Sequence, residues 1–346
     1  RDTDRSRGLG DVYKRQVTFP DGSVHEFEKG VKILDVAISI SEGFARNVIG
    51  AVVNDDIIKG LSETLKEDCT VKFVKFEDKE GKEIFWHTSS HVMALAIQRL
   101  FPDTKFGIGP AIENGFYYDL DSEHKFTPED LEKIEAEMKK IVKEGYSVDR
   151  KEVDRDFALK YFAEKGQDYK IDLIEGFDKD AELSFYELGE FTDLCRGPHL
   201  VDVKKIKAVK LLSIAGAYWR GSEKNKMLQR IYGITFEKKK DLDEYLEFLE
   251  DAKQRDHRKI GKELGIFMIS QNVGAGLPFW LPKGATIRRV VERYIVDKEI
   301  ECGYEHVYTP ILANVDLYKT SGHWDHYQDL SLIHISEPTR PISISY

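Results

Sequence analysis

Residues 87–98 read HTSSHVMALAIQ, in which two histidines stand four positions apart at the start of an apolar run. Side chains at positions i and i+4 of a helix are neighbours, so His87 and His91 lie close enough to share one metal ion or one substrate. The next six residues are apolar, which predicts a buried helix with both histidines at its entrance. If Thr88 or Ser89 is the N-cap, His87 lies outside this helix. Taken alone, the pair is more typical of hydrogen-bonded structural histidines.

Residues 193–199 read DLCRGPH and repeat the four-residue spacing with Cys195 and His199. The Gly-Pro pair between them excludes a shared helix face and favours a strand followed by a turn. Asp193 lies two residues before Cys195, so both side chains leave the strand on the same side. Three histidines and a cysteine form a possible tetrahedral zinc set. Without a metal, the same side chains beside a lysine or aspartate could activate a water molecule.

Composition restricts the class of protein. The 346 residues are 41% hydrophobic, enough for two or three domains with cores of their own. No apolar run approaches the roughly 18 residues of a membrane helix, and no signal-peptide pattern begins the sequence. Three scattered cysteines do not make a disulfide framework. We therefore expect a cytoplasmic protein with no membrane partner.

The net charge of −10 argues against a protein that coats nucleic acid without sequence preference, but the charge is unevenly distributed along the chain. Residues 113–195 contain 24 acidic and 12 basic residues, whereas residues 196–240 contain 12 basic and 3 acidic ones. The second stretch is either a local phosphate-facing surface or a solvated face. Its candidate RNA contacts are Lys204, Lys205, Lys207, Arg220, Lys224, Lys226 and Arg230.

The periodicity of the first two segments predicts a multidomain α+β chain. Residues 17–77 contain a hairpin around Asp21-Gly22, a helix and further strands, which together indicate a small module of ubiquitin-like shape. Residues 78–236 contain both reactive stretches and a charged helix that starts at Pro128. The first module is expected to bind a partner, and the second to carry the chemistry.

The following segments predict a linker and the start of another domain. Residues 237–264 indicate one linker helix with an apolar stripe. Residues 265–330 begin with a helix of about four turns, which Gly303 ends, and continue with a strand that ends at Pro310.

Both ends of the sequence differ in character from their neighbours. Residues 1–16 and 331–346 show no clear periodicity and resemble translated adapter sequence. We expect neither tail to belong to the native protein.

Five blocks of sequence together resemble the bacterial type of threonyl-tRNA synthetase, a class II family. The blocks are HTSSHVMALAIQRLFP, KFGIGPAIENGFYYD, DLCRGPHL, AGAYWRGSEKNKMLQRIYG and RDHRKIGKELGIF. The resemblance covers residues 17–330. It implies a ubiquitin-like β-grasp (TGS) domain, an editing domain of the threonyl/alanyl type, a linker helix and the start of an antiparallel-sheet catalytic domain. That start contains motif 1, and motifs 2 and 3 are missing.

The resemblance also implies an editing site that hydrolyses serine wrongly attached to threonine tRNA. The corresponding residues are His87, His91, Lys170, Asp193, Cys195 and His199. His87 and Lys170 would position the attacking water. Asp193 would bind the hydroxyl or ammonium group of the amino acid. Cys195 and His199 would shape the pocket against threonine, and Lys170 would lower the pKa of Cys195.

Partners and cofactors follow from the same resemblance. It implies tRNA(Thr) as partner and a homodimer through motif 1, which ends at Pro310, with no DNA partner. ATP, Mg and zinc would bind to the full-length enzyme at sites missing here, so we expect this chain not to activate threonine. We expect no metal in the editing site, although its three histidines and Cys195 remain a candidate zinc set.

Two other functions stay open. The first is a zinc-dependent hydrolase unrelated to tRNA, although the stretch that begins at His87 lacks the glutamate of the HExxH motif. The second is a non-catalytic RNA-binding protein that uses the ubiquitin-like module and the basic stretch.

Overall fold

The computed structural model describes residues 14–270, 272–274, 276–310 and 314–326. The expected C-terminal tail and residues 1–13 of the expected N-terminal tail lie outside these ranges. Residues 14–16, by contrast, belong to the first strand, because their backbone pairs with the strand that follows. The chain divides into two compact units, one ending at Asp251 and the next beginning at Ala252.

The first domain of the first unit is a five-stranded sheet covered by helices. Its elements are β1 (Lys14–Thr18), β2 (Val24–Glu28), β3 (Val31–Lys32), α1 (Ile33–Ile40), α2 (Glu42–Asn47), β4 (Gly50–Val53), β5 (Ile57–Gly60), β6 (Thr64–Leu65) and β7 (Cys69–Val74). The strand order is β2-β1-β7-β4-β5, with β1 parallel to β7. Asp21 accepts a hydrogen bond from the Ser23 amide at 2.9 Å and closes the predicted hairpin.

The second domain packs helices against two antiparallel sheets. Its elements are α3 (Lys79–Leu100), β8 (Lys105–Phe106), β9 (Ala111–Ile112), β10 (Gly115–Asp121), α4 (Pro128–Glu144), β11 (Asp149–Val153), α5 (Arg155–Glu164), α6 (Asp168–Glu175), β12 (Leu183–Leu188), β13 (Phe191–Leu194), β14 (Ala208–Tyr218) and β15 (Met227–Phe236). One sheet has the order β14-β15-β10-β8, and the other has β11-β12-β13. Helix α3 packs against β10, β13 and β15, so it joins the two sheets.

Helix α3 is longer than the sequence analysis predicted. It begins at Lys79, so the two histidines lie in its middle and not at its entrance. The side chains of Thr88 and Ser89 each donate a hydrogen bond to the carbonyl four residues earlier, which places both inside the helix and excludes them as N-caps. Because fourteen of its residues are buried, the middle of α3 can present polar side chains only to an internal site.

Helix α4 begins as its sequence predicts. Pro128 occupies its first turn, and Thr127 and Asp130 form a reciprocal capping box. Gly145 ends the helix with a φ of 74°, a conformation that costs glycine little. Its apolar side, which includes Ile134 and Met138, is fully buried.

The predicted single linker helix is wrong, because two helices occupy this segment. They are α7 (Lys239–Gln254) and α8 (His257–Glu263). The side chain of Asp256 accepts a hydrogen bond from the Arg258 amide at 2.7 Å and caps α8. A capping aspartate with a non-helical backbone starts a new helix rather than continuing the old one.

The second unit has few buried side chains among its described residues. Besides α8 it contains β16 (Phe267–Ile269), β17 (Pro278–Trp280), α9 (Pro282–Glu301), α10 (Val315–Thr320) and α11 (His323–His326). Helix α9 ends before Gly303, as expected, but its 20 residues exceed the expected four turns. The predicted strand up to Pro310 is wrong: residues 304–310 are exposed and pair with no described strand, and a lone strand has no partner for its backbone groups.

No helix within the described ranges is long and apolar enough to cross a membrane.

Candidate functional site

A cavity of about 310 Å³ in the second domain collects the side chains that the two quoted stretches contribute. His87 and His91 enter from α3, Lys170 from α6, and Asp193 and Cys195 from β13 and its end. Residues separated by about a hundred positions therefore line one space. The cavity lies where α3, α6 and the β11-β12-β13 sheet meet.

Cys195 stands between two histidine rings. Its Sγ lies 3.2 Å from His87 Nε2 and 3.2 Å from His199 Nε2. The Gly197 amide donates a third hydrogen bond to the same sulfur at 3.2 Å. With His91, the four side chains place one donor atom each within 4.8 Å of one another. The doubled four-residue spacing thus produces a single cluster.

The loop after β13 has a shape that requires glycine at one position. Gly197 has a φ of 71°, and a Cβ there would collide with the ring of Tyr186. Ser184 Oγ donates a hydrogen bond to the Cys195 carbonyl at 2.6 Å, which fixes the start of the loop against β12. The loop can therefore pass under Tyr186 and return His199 toward α3.

Hydrogen bonds around Thr88 determine the tautomer of His199. The Thr88 hydroxyl donates to the Ile84 carbonyl at 2.8 Å and accepts from the Leu200 amide at 2.9 Å. Its proton is thereby used, so His199 Nδ1, at 3.3 Å, must donate to the same oxygen. Nε2 of His199 then carries a lone pair, and this lone pair faces Cys195.

A buried ion pair forms the opposite wall of the cavity. Lys170 Nζ lies 2.5 Å from Asp193 Oδ1, and both side chains are almost fully buried. The Tyr118 hydroxyl donates to Asp193 Oδ2 at 2.5 Å and lies 3.1 Å from Lys170 Nζ. His91 Nε2 approaches Asp193 Oδ2 at 3.4 Å. Four polar side chains thus meet in an apolar surrounding.

Tyr118 is a site residue that the sequence analysis missed. It belongs to β10, where the stretch FYYDL places it among buried positions of the strand. The available signal was a tyrosine on a buried strand face, because a buried phenol normally needs a hydrogen-bond partner. Nothing in the sequence places that partner in β13.

Burial keeps the three histidines neutral at physiological pH. It lowers the pKa of His87 to about 3 and that of His91 to about 4, and it lowers the pKa of His199 well below its usual value. The neighbouring histidines add to this effect for His87 and His199. Neutral rings can accept protons or bind a metal.

The expectation that Lys170 lowers the pKa of Cys195 is wrong in its net effect. Burial, reinforced by the charge of Asp193, raises the pKa of Cys195 to about 12. Lys170 opposes this change but does not outweigh it, because its own charge is matched by Asp193. Burial also works against the charge on Asp193, yet Lys170 and His91 hold the pKa of that carboxyl below its usual value. The cavity therefore contains a neutral thiol and an ionised carboxylate.

The cluster of three histidines and Cys195 fits a zinc ion. Zinc prefers four nitrogen and sulfur ligands in a tetrahedron, and the 3.2 Å separations from sulfur to nitrogen are close to those of such a set. His91 Nδ1 is buried and has no hydrogen-bond partner among the described residues, which leaves a donor atom for an ion or a water.

The seven basic residues expected to face RNA differ in their contacts within the chain. Four of them bind partners within the chain, namely Lys205 with the Val48 carbonyl, Arg220 with Asp172, Lys226 with Asp121 and Arg230 with Asp119. The other three, Lys204, Lys207 and Lys224, are exposed. The first two precede β14 and the third follows it, so an 11-residue strand separates them.

Two family models match parts of the chain. The TGS domain matches residues 15–75, which contain the first sheet. The threonyl and alanyl tRNA synthetase second additional domain matches residues 183–232, which include Asp193, Cys195 and His199. The α+β architecture of both domains is thereby confirmed.

Relatives extend the match over most of the chain. The threonine–tRNA ligase of Finegoldia magna is 61% identical over 314 residues, which are 91% of this chain and 49% of that protein. The enzyme of a Geobacillus species is 57% identical over the same shares, and threonine–tRNA ligase 1 of Bacillus subtilis is 56% identical over 93% of this chain and 50% of its own length. The chain is therefore a homologue of the threonine–tRNA ligases, and it spans about half the length of the curated relatives it matches.

Proposed function

We propose that the cavity hydrolyses the ester bond of a mischarged tRNA and removes serine from tRNA(Thr). The observation that carries this proposal is the meeting of neutral histidines with the Lys170–Asp193 pair in one cavity of about 310 Å³. A space of this size suits an amino acid and the end of a nucleotide chain. The match to the second additional domain supports the same conclusion.

A water molecule, and not the thiol, is the attacking group. Hydrolysis joins the water oxygen to the ester carbonyl carbon and breaks the bond from that carbon to the ribose oxygen. His87 accepts the water proton and returns it to the departing ribose oxygen. Lys170 stabilises the negative charge that develops on the carbonyl oxygen, because both lie in a site of low dielectric. Cys195 stays protonated, since a thiol with a raised pKa is a poor nucleophile.

The two walls of the cavity recognise different groups of the amino acid. Asp193 binds the ammonium or hydroxyl group of serine, because it is a buried, ionised carboxylate that lines the cavity. Cys195 forms the wall that the extra methyl group of threonine would meet, and His199 supports Cys195 from behind through the 3.2 Å contact between its Nε2 and Cys195 Sγ. One methyl group contributes about 1–3 kcal/mol of discrimination in a pocket, which explains why translation needs a second, hydrolytic selection.

The proposed reaction does not require a metal. If zinc bound to His87, His91, Cys195 and His199, four protein ligands would fill its tetrahedron and leave no position for water. Zinc would then fix the loop after β13 rather than activate water. Exhaustive dialysis against a chelator should therefore leave the hydrolysis rate unchanged. Stoichiometric zinc whose removal abolishes activity would favour the zinc-dependent hydrolase instead.

The complete protein is a threonine–tRNA ligase in this proposal. It charges tRNA(Thr) in the cytoplasm with ATP and magnesium, at sites beyond the segments described here. Homodimerisation involves α9, which exposes a row of apolar side chains: Ile287, Val290, Val291, Tyr294 and Ile295. Sedimentation of the complete protein and of a Val290→Asp, Tyr294→Asp double variant tests the dimer.

The direct test measures serine release from serine-charged threonine tRNA by the purified chain. Wild-type protein should release serine, and His87→Ala should lose at least about 100-fold in rate, because it lacks the group that transfers the proton. His25→Ala, a histidine of the first domain far from the cavity in sequence, is the matched control and should keep the wild-type rate. Binding of the tRNA without release by folded wild-type protein would support the RNA-binding alternative.

A further inference from the structure

Helix α6 carries Lys170 into the cavity, yet it has only eight residues. So short a helix is marginal unless other elements hold it. Its Leu173 side chain also lines the cavity. A small rotation of α6 would therefore move both the Lys170 ammonium and the part of the cavity wall that Leu173 forms. The contacts that fix α6 therefore decide where the Lys170 ammonium lies.

The tip of the β14–β15 hairpin, residues 219–226, contacts α6 on the side away from the cavity. Trp219 Nε1 donates to Asp172 Oδ2 at 2.8 Å, and its ring packs edge-on to Tyr169 with centroids 4.9 Å apart. Tyr169 in turn donates to Asp121 Oδ2 at 2.7 Å. Trp219 is buried, so its indole N–H depends on Asp172 for a partner.

Arg220 completes the contact from an unusual backbone conformation. Its φ is 52° and its ψ 24°, in the left-handed region that non-glycine residues rarely adopt. One guanidinium nitrogen, Nη2, lies 2.8 Å from the Asp172 carbonyl oxygen and 2.9 Å from Asp172 Oδ2. It also lies next to Gly176, which ends α6. A cation near the C-terminal end of a helix is stabilised by the negative end of the helix dipole.

We propose that Trp219 and Arg220 form a clamp on Asp172 that holds α6 and thereby positions Lys170 for the hydrolysis proposed above. All three are positioning residues, because none of them lines the cavity. The strained backbone of Arg220 is explained by this role, since it turns the guanidinium back onto α6. This role differs from the RNA contact for which the basic stretch made Arg220 a candidate.

Kinetics and hydrogen exchange on the full chain distinguish a positioning role of Arg220 from an RNA contact. Asp172→Ala and Arg220→Ala should lower kcat for serine release about 10-fold with KM for the charged tRNA unchanged, because Lys170 is displaced while RNA binding is intact. Asp172→Asn keeps an acceptor for Trp219 and should fall in between. Deuterium uptake of residues 168–176 should quicken in the same order. Arg150→Ala, which breaks the comparable 2.8 Å pair with Glu152, is the matched control and should change neither quantity.

Several outcomes would overturn the clamp. A raised KM with unchanged kcat in Arg220→Ala would make Arg220 an RNA contact. Unchanged exchange in α6, or faster exchange with wild-type kcat, would show that the clamp does not position Lys170. Unchanged exchange in Asp172→Asn, the variant that best preserves folding, would also overturn the clamp. If wild-type protein releases no serine, the proposed function fails, and the exchange measurement still tests whether the clamp holds α6.

Discussion

Tyr118 illustrates how one hydroxyl supports a buried ion pair. Burying Asp193 and Lys170 costs free energy that their mutual attraction recovers only when the remaining polar atoms are hydrogen-bonded. Tyr118→Phe removes the 2.5 Å hydrogen bond to the carboxylate, and we expect a loss of about 1.5–3 kcal/mol in the free energy of unfolding. Urea denaturation measures this loss of stability. Tyr117→Phe is the control, because its ring and not its hydroxyl contacts Arg230. Equal losses in both variants would contradict this account.

The reactivity of the cysteines gives a second test at the scale of residues. Thiolates react with iodoacetamide and thiols do not, so a raised pKa protects a cysteine at pH 7–9. Cys195 has a pKa of about 12 and is half-buried, whereas Cys302 is exposed. Mass spectrometry of protein treated at pH 8 should find Cys302 modified first and Cys195 last. Early modification of Cys195 would mean that Lys170 does activate the thiol.

At this scale the sequence predicted which side chains meet but not their environment. The helix period pairs His87 with His91, because it fixes directions locally, and the family resemblance joined this pair to Cys195 and His199. The pKa of Cys195 was predicted with the wrong sign, since burial depends on elements far away in sequence. Tyr118 was missed for the same reason.

The capping box of α4 makes the stability of this helix depend on pH in the acid range. Hydrogen bonds from His124, with further ones from Lys133 and Thr127, hold the pKa of Asp130 well below its usual value. A carboxyl with a lowered pKa stabilises the fold above its unfolded pKa and loses this contribution as the pH falls through the folded pKa. We expect Asp130→Asn to cost about 1 kcal/mol at pH 7, measured by urea denaturation. The cost should shrink below about pH 4, where the unfolded carboxyl becomes protonated. A constant cost from pH 7 to pH 3 would contradict the assignment.

Elements were predicted well where local signals mark both ends. Helix α4 has a capping box, Pro128 and Gly145, and its bounds follow from them. Helix α3 was predicted too short because its first two turns, from Lys79, mix charged and apolar residues and lack the strong pattern of the buried part. The break between α7 and α8 was overlooked although Asp256 is a typical cap.

Across the whole molecule, the two units differ in how much apolar surface they bury. The described residues of the first unit contain three clusters of buried apolar side chains, whereas α9 of the second exposes Val290 and Tyr294 by about 60%. We expect calorimetry to show a cooperative transition that survives removal of residues 255–346. Its midpoint should change by no more than a few degrees. Loss of the transition in the shortened protein would show that the units depend on each other.

The architecture as a whole could be predicted only in part. The order of the first two domains followed from the sequence, because each has its own pattern of strands and helices. The strand up to Pro310 could not form as predicted, since a strand depends on a neighbour that local sequence does not supply.

The central claim is that the cavity selects serine over threonine, and one measurement addresses it directly. The chain is mixed in excess with threonine tRNA charged with either amino acid, and the rate of amino-acid release is followed in a single turnover. The account predicts that serine leaves about 10–200-fold faster than threonine, as one methyl group in a closed pocket allows. It also predicts that Cys195→Ala, by enlarging the pocket, narrows this ratio. Equal rates for the two amino acids in the wild-type protein would contradict the claim.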